Sequence, residues 1–334
     1  MKKVAINGLG RIGRLMLREY IINRPSSFQI VAVNDLVTAE NIAYLLKYDS
    51  VHGRFDFDIE HGEDHLTLGG ETIKFFHESD PHNLPWDTLD IDLVIDCTGV
   101  FVHHDKAAFH QEAGAKRVLI SAPSETADLT LVLGANDQQY DPAVHTIVSN
   151  ASCTTNSLAP SLKVLNDAFG IESVMVTTVH AYTVSQGMVD EPSKKMIRGR
   201  AGAVNIIPTS TGSDKATELV LPELKGKISA MALRVPVPDG AITDVVALLN
   251  TTVTAKEVNQ VLKAACDNQL DGVLGYTDEP LVSTDILGDT RSGIVHSLST
   301  RVINGNMVKV QIWYDNEYGY ACRLLDVAGL MTAD

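Results

Sequence analysis

The 334 residues are enough for two separate cores, and a composition of 45% hydrophobic and 21% charged residues is that of an ordinary globular protein. A formal net charge of −15 argues against nucleic acid as the main partner, because a phosphate backbone demands a basic surface. No apolar run approaches the roughly 18 residues of a membrane span, and Gly8, Arg11 and Arg14 interrupt any signal-peptide core, so a cytoplasmic protein without a membrane partner is expected.

Residues 4–7 form a short β-run, followed at once by Gly8-Leu9-Gly10-Arg11-Ile12-Gly13 and then by helical spacing through Leu15, Met16 and Ile22. In this strand, GxGxxG turn and helix, Gly8, Gly10 and Gly13 permit a tight turn and let a helix start approach a pyrophosphate. Taken alone, the pattern also fits a glycine turn with no ligand. A second buried strand over 30–34 ends at Asp35, 22 residues beyond Gly13, the place from which an acid bonds the adenosine ribose hydroxyls. An acid there repels a 2′-phosphate, so NAD is expected over NADP.

Helical spacing returns over 39–48, and alternating runs around Gly69-Gly70 predict hairpins up to Phe76. His61 and His65 have a metal-like spacing for a helix, but the polar segment 60–70 reads as a turn, and no metal site is expected. A strand over 93–96 ends in Cys97-Thr98-Gly99, a helix over 107–113 stops at Gly114, and strands follow over 118–121, 129–133 and 146–149. Strands alternating with helices make a doubly wound parallel sheet, an α/β fold of Rossmann type. Ligands bind beyond the carboxyl ends of such strands, where Gly8, Asp35, Thr98, Ser121 and Cys153 all fall.

Cys153 lies in Ser-Asn-Ala-Ser-Cys-Thr-Thr, where a β-run hands over to the helical spacing of Leu158, Leu162, Leu165 and Phe169. The first turn of a helix has unpaired N–H groups and partial positive charge, which favour a thiolate and lower its pKa. Ser152 is a candidate N-cap, and Pro160 should kink the helix unless it lies in the first turn or two. The alternative is a buried structural cysteine, against which the polar neighbours argue. The four cysteines, Cys97, Cys153, Cys266 and Cys322, contain no CxxC, so neither a disulfide framework nor a zinc site is indicated. Cys97 reads as structural.

Beyond this helix the pattern changes. A long β-branched strand over 173–182 carries His180, a basic loop holds Lys194, Lys195, Arg198 and Arg200, and strands over 229–237, 242–250, 294–298 and 307–314 flank helices ending at Leu219 and spanning 255–266. Asn304-Gly305 marks a hairpin. The second domain therefore reads as α+β with a mostly antiparallel sheet. A thiolate beside a dinucleotide site suggests a covalent dehydrogenase: an aldehyde added to sulfur can lose hydride and become a thioester. His180 is the candidate base, a satisfied core histidine being the alternative. Arg198, Arg234, Thr183, Thr211 and Gly212 supply cations and small donors for a phosphorylated substrate or an attacking phosphate, although Arg234, on an apolar strand, could instead pair with a core carboxylate.

Ser-Asn-Ala-Ser-Cys-Thr-Thr-Asn, Thr-Val-His-Ala-Tyr-Thr, Asn-Ile-Ile-Pro-Thr-Ser-Thr-Gly, Leu-Arg-Val-Pro-Val-Pro and Trp-Tyr-Asp-Asn-Glu-Tyr-Gly-Tyr, with Ile-Asn-Gly-Leu-Gly-Arg-Ile-Gly-Arg at the front, resemble the motifs of phosphorylating glyceraldehyde-3-phosphate dehydrogenases from end to end. The resemblance implies oxidation of glyceraldehyde 3-phosphate with NAD and inorganic phosphate, with Cys153 as nucleophile and His180 as base. It implies that Ser152, Thr154, Thr211 and Gly212 line an inorganic-phosphate pocket, that Thr183 and Arg234 hold the substrate phosphate, and that Arg198 serves between them. It assigns Arg11, Ile12, Asp35, Thr98 and Ser121 to the nucleotide, and Asn316 and Tyr320 to the nicotinamide. It further implies a homotetramer, an NAD-binding domain over 1–151 with the helix of 316–334 packed back on it, and a catalytic domain over 152–315. Ser157 stands where many relatives have a second cysteine, Ser185 where many have an acid, and Glu191 where leucine is common. Erythrose-4-phosphate dehydrogenase is the nearest alternative, disfavoured by the intact Thr211-Gly212 pair; a catalytically silent NAD-binding scaffold is the other.

Overall fold

The computed structural model describes residues 1–333 and divides into two compact units, one of residues 1–131, 138–151 and the chain from 321 onward, the other of residues 132–137 and 152–320. In the first unit the elements run β1 (Lys2–Asn7), α1 (Arg11–Asn23), β2 (Phe28–Asn34), α2 (Ala39–Lys47), β3 (Tyr48–Asp49), β4 (Gly53–Arg54), β5 (Ile59–His61), β6 (His65–Leu68) and β7 (Glu71–Phe76). They continue with α3 (Trp86–Leu89), β8 (Leu93–Asp96), α4 (His104–Glu112), β9 (Arg117–Ile120), β10 (Leu129–Thr130) and β11 (Ile147–Ser149).

Nine of these strands form one sheet in the order β10-β11-β9-β8-β1-β2-β7-β6-β5. It is parallel from β10 to β7 and turns antiparallel only at the β7–β6–β5 edge, where the hairpins expected around Gly69-Gly70 lie. Strand β1, buried from Val4 to Asn7, is central because it pairs with β2 on one side and β8 on the other. Chain order reverses beside it, which makes the carboxyl end of β1 a topological switch point. Helix α1 begins where Gly10 leaves the turn and ends at Arg24, which takes a left-handed conformation (φ 45°) and donates its N–H to the Tyr20 carbonyl. Pro25 then prevents continuation. The short α3, not foreseen, exists to seat Trp86, which is fully buried among Ala5, Ala32, Ile91 and Val94; burying such a ring contributes about 3 kcal/mol.

The second unit contains α5 (Cys153–Phe169), β12 (Ile171–Ala181), β13 (Ile207–Ser210), α6 (Ser213–Val220), β14 (Ile228–Val235), β15 (Ala241–Leu249), α7 (Ala255–Cys266), β16 (Leu274–Thr277), β17 (Gly293–His296), β18 (Arg301–Ile303) and β19 (Met307–Tyr314). The sheet order is β13-β14-β12-β15-β19-β17-β16, antiparallel except at β12–β14 and β16–β17. Asn304 and Gly305 both have positive φ (53° and 78°), the geometry a two-residue hairpin turn needs between β18 and β19. Helix α5 is continuous through Pro160, a buried residue at the end of its second turn, where proline removes the bond to the Asn156 carbonyl. The last helix, α8 (Tyr318–Thr332), belongs from residue 321 on to the first unit, where Arg117 donates to the Met331 carbonyl at 2.8 Å. Among the described residues, no helix is long and apolar enough to cross a membrane.

Candidate active site

In the first unit a cleft of about 430 Å³ opens at the carboxyl ends of β1, β2 and β8, lined in part by Gly8, Gly10, Asp35 and Thr98. Gly13 is required because a Cβ there would lie 2.1 Å from the Gly8 carbonyl oxygen. Gly10 faces open space and, as the N-cap of α1, makes no side-chain capping bond, an arrangement that suits an anion at the helix start. Asp35 accepts N–H bonds from Leu9 (2.6 Å) and Val37 (3.0 Å), which ties the acid to the glycine turn. An uncapped helix start, a glycine cradle and an acid at the end of β2 fit a dinucleotide. Arg11 is held by Asp49, and Arg11, Ile12 and Ser121 lie outside the cleft lining. Cys97 also lines the cleft, and burial pushes its thiol far above the ordinary range.

In the second unit, sheet register decides which side chains meet. His180 pairs with Arg234 across β12–β14, Arg234 with Ile207 across β14–β13, and Thr178 with Thr243 across β12–β15, so Thr178, His180, Arg234 and Thr209 share one face with Tyr314. Helix α5 packs on that face. Ser152 caps it by accepting the Thr155 N–H at 3.1 Å, after Ala151 has adopted a left-handed backbone (φ 54°) that costs of order 1 kcal/mol. Cys153 Sγ then lies 3.5 Å from His180 Nε2. The Thr154 hydroxyl meets the Tyr314 hydroxyl at 2.9 Å, which in turn meets Thr178 at 2.7 Å.

His180 Nδ1 lies 2.7 Å from the Ala181 carbonyl and 2.8 Å from Arg234 Nη1, which donates to the same carbonyl at 2.8 Å. A proton on Nδ1 leaves the Nε2 lone pair facing the thiol. Burial, with Arg234 second, lowers His180 to about 3, so the imidazole is neutral at pH 7. Burial also pushes Cys153 up to about 11, against the downward pull of Arg234 and of the helix start at Thr154. The expectation of an acidified thiol is therefore corrected: desolvation outweighs the helix terminus, and the pair rests as thiol and neutral imidazole.

Arg234 has no carboxylate partner among the described residues, and its Nε is buried without any partner. Arg198 bonds Thr209 Oγ1 and the Ser210 carbonyl, both at 3.0 Å, and its charge is felt at both His180 and Arg234. Two cations without a counter-charge on one sheet face call for an anion. Thr211 and Gly212 precede α6: the N-cap Gly212 has no side chain to offer, and Thr211 Oγ1 accepts the Ser213 N–H at 3.3 Å. The Thr183 hydroxyl meets Ser185 at 2.8 Å, so the serine that stands for an acid still orients that threonine. Asn316, buried, accepts the Gly240 N–H at 3.1 Å, and Tyr320 is buried near the start of α8. Sequence reasoning gave Tyr314 no role; its signal was alternation along β19, which puts this hydroxyl on the buried face with Val308, Val310 and Ile312, where it must find partners.

A dinucleotide fold followed by a unit that presents a thiol, an imidazole and unpaired cations defines an NAD-dependent oxidoreductase. Family models agree: residues 2–104 match the NAD binding domain of glyceraldehyde 3-phosphate dehydrogenase, and residues 152–316 match its C-terminal domain. The chain is 51% identical over 331 residues to the glyceraldehyde-3-phosphate dehydrogenase of Geobacillus stearothermophilus (99% of this chain, 98% of the relative). It is 52% identical to that of Thermotoga maritima (99% of each chain) and 52% identical to glyceraldehyde-3-phosphate dehydrogenase 1 of Bacillus subtilis (98% and 97%). The chain belongs to the glyceraldehyde-3-phosphate dehydrogenase family.

Proposed function

We propose that the chain oxidises D-glyceraldehyde 3-phosphate to 1,3-bisphosphoglycerate with NAD and inorganic phosphate, in the cytoplasm, as the glycolytic and gluconeogenic enzyme. The observation that carries the reading is the 3.5 Å approach of Cys153 Sγ to His180 Nε2 beside the uncompensated Arg234. His180 Nε2 takes the thiol proton as sulfur adds to the aldehyde carbon, and returns it to the new alkoxide to give a hemithioacetal. In the next step Nε2 removes that hydroxyl proton. Gly8, Gly10, Gly13, Asp35 and Thr98 would hold NAD, with Asn316 and Tyr320 assigned to its nicotinamide, and NAD would supply the hydride acceptor that lets the carbon become a thioester. Arg234 and Thr183 hold the substrate phosphate; Ser152, Thr154, Thr211, Gly212 and Arg198 guide inorganic phosphate, which attacks the thioester carbonyl and expels the Cys153 thiolate.

A homotetramer accompanies this reading. Met175, Met231 and Met307 share the sheet face turned away from His180 and are exposed, which suits burial against another copy. The test is NADH formation with glyceraldehyde 3-phosphate or erythrose 4-phosphate, with NAD or NADP, in the presence and absence of phosphate or arsenate. Sustained turnover only with the three-carbon sugar, NAD and phosphate is expected. Phosphate-indifferent turnover of the four-carbon sugar would move the assignment to an erythrose-4-phosphate dehydrogenase, and no turnover with any pairing would leave an NAD-binding scaffold.

A further inference from the structure

Beneath the dinucleotide cleft runs a chain of buried hydrogen bonds that the reaction does not use. Trp86 Nε1–H donates to His110 Nδ1 at 3.1 Å, so that nitrogen carries no proton and Nε2–H is left to donate to Asp96 Oδ2 at 3.2 Å. Asn7 Nδ2 donates to the same oxygen at 2.7 Å, while Asn7 Oδ1 accepts from Asn34 Nδ2 at 2.8 Å. Asn34 Oδ1 takes the Glu78 N–H at 2.8 Å. The other oxygen of Asp96 accepts both the N–H (3.1 Å) and the hydroxyl (2.7 Å) of Thr98. His110 and Asp96 are almost wholly buried (0% and 1% exposed), so neither reaches the cleft surface.

The direction of these bonds matters more than their number. Asn7, His110 and Thr98 all donate to Asp96, and Asp96 in turn holds Thr98, whose N–H would lie 2.9 Å from a Cβ placed on Gly8. Asn7, Asn34, Glu78 and Thr98 all line the cleft. The tryptophan thus sets the tautomer of a histidine, the histidine and Asn7 orient a carboxylate, and the carboxylate holds the strand end against which the glycine turn rests. We infer that His110 is a positioning residue for the dinucleotide: it tunes cofactor affinity through Asp96 and Thr98 without touching the cofactor.

This rests on NAD occupying the cleft, and NAD titrated calorimetrically into the full-length cofactor-free protein tests both points. A glutamine can accept from Trp86 and donate to Asp96, whereas a leucine fills the space and does neither. We expect His110→Gln to keep NAD affinity within about 3-fold of the unmutated protein and His110→Leu to lose about 10-fold, each normalised to its folded fraction from near-UV circular dichroism. A packing role would reverse that order, since leucine suits an apolar pocket, and equal affinities or the reversed order would overturn the inference.

Should His110→Leu fail to fold, Asp96→Asn decides. Its amide would face the donors of Asn7 and His110, and adding Trp86→Phe frees His110 to move its proton to Nδ1 and accept from that amide. The double variant is expected to bind NAD at least 3-fold more tightly than Asp96→Asn alone; no recovery would overturn the inference. Absence of NAD binding by the unmutated protein would instead remove the cofactor reading itself.

Discussion

The floor of the dinucleotide cleft and the thiol face of the second unit both bury charge, and they treat it in opposite ways. In the floor, the Asp96 carboxylate accepts bonds from Asn7, His110 and Thr98, so its charge is satisfied before any ligand arrives. On the thiol face, Arg234 is half-buried with an unpartnered Nε and, among the described residues, no carboxylate partner, and the nucleophile and base rest neutral. A surface that must only bind is best made rigid beforehand; one that must stabilise charge as it develops is best left short of anions. Substitutions on the thiol face should therefore cost turnover and spare NAD affinity.

Cys153→Ser is the most severe break. A serine hydroxyl is a poor nucleophile without a strong base, and His180 in its buried, cation-flanked setting is a weak one. Oxidation is expected to fall by roughly 10⁴-fold or more with NAD affinity unchanged, measured by steady-state rates and calorimetry. Residual activity within 100-fold of the unmutated protein would refute the covalent mechanism.

His180→Gln should lower kcat by about 10²- to 10⁴-fold. It also probes the neutral imidazole through stability. The folded-state value near 3 lies below the ordinary 6.5, so the unfolded chain binds the proton that the folded one refuses. The stability this group contributes is complete above pH 6.5 and is lost as pH falls toward 3, at up to about 1.4 kcal/mol per pH unit. Urea unfolding at pH 7, 6 and 5 should show a shallower loss for His180→Gln than for the unmutated protein, and parallel slopes would mean that His180 charges freely in the fold.

Arg234→Leu should reduce kcat/KM for the phosphorylated aldehyde by about 10²-fold, the worth of charge-assisted bonds to phosphate. Because Arg234 lowers both neighbours, its loss should also bring the His180 value up, steepening less of the acid limb. An unaltered KM and kcat would place the substrate phosphate elsewhere.

The contrast also explains what could be read in advance. The glycine turn, the Ser152 cap, the helix start at Cys153 and the Asn304-Gly305 hairpin are local, set by residues a few positions apart, and each is present as the chain implied. The alternation of strand and helix was enough for the doubly wound sheet, and the hairpin signals for the mostly antiparallel one. Tyr314 and Thr154 are 160 residues apart, and Trp86, His110 and Asp96 come from three elements, so their bonds exist only after strand register is set. The thiol was misjudged for the same reason: the helix start is visible in the sequence, whereas the desolvation that outweighs it is a property of packing. Arg234 was expected to need a partner, and only the fold reveals that none is provided from its own unit's carboxylates.

The mildest break returns to the first unit and tests whether its floor is as prearranged as the bonds suggest. Asp35 has two tasks: it anchors the Leu9 and Val37 N–H groups, and its charge repels a 2′-phosphate. Asp35→Asn removes the charge and keeps one acceptor, whereas Asp35→Ala removes both. If the glycine turn is already held by Thr98 and Asn7, losing the anchor should weaken NAD only a few-fold in either variant, while the ratio of kcat/KM for NADP over NAD rises about 10-fold in both, as removal of one repulsive charge near a phosphate allows. A turn that depended on Asp35 would give a different result: the alanine variant would lose NAD affinity well beyond the asparagine one with no gain toward NADP, and the acid would then be a structural anchor rather than the residue that chooses the cofactor.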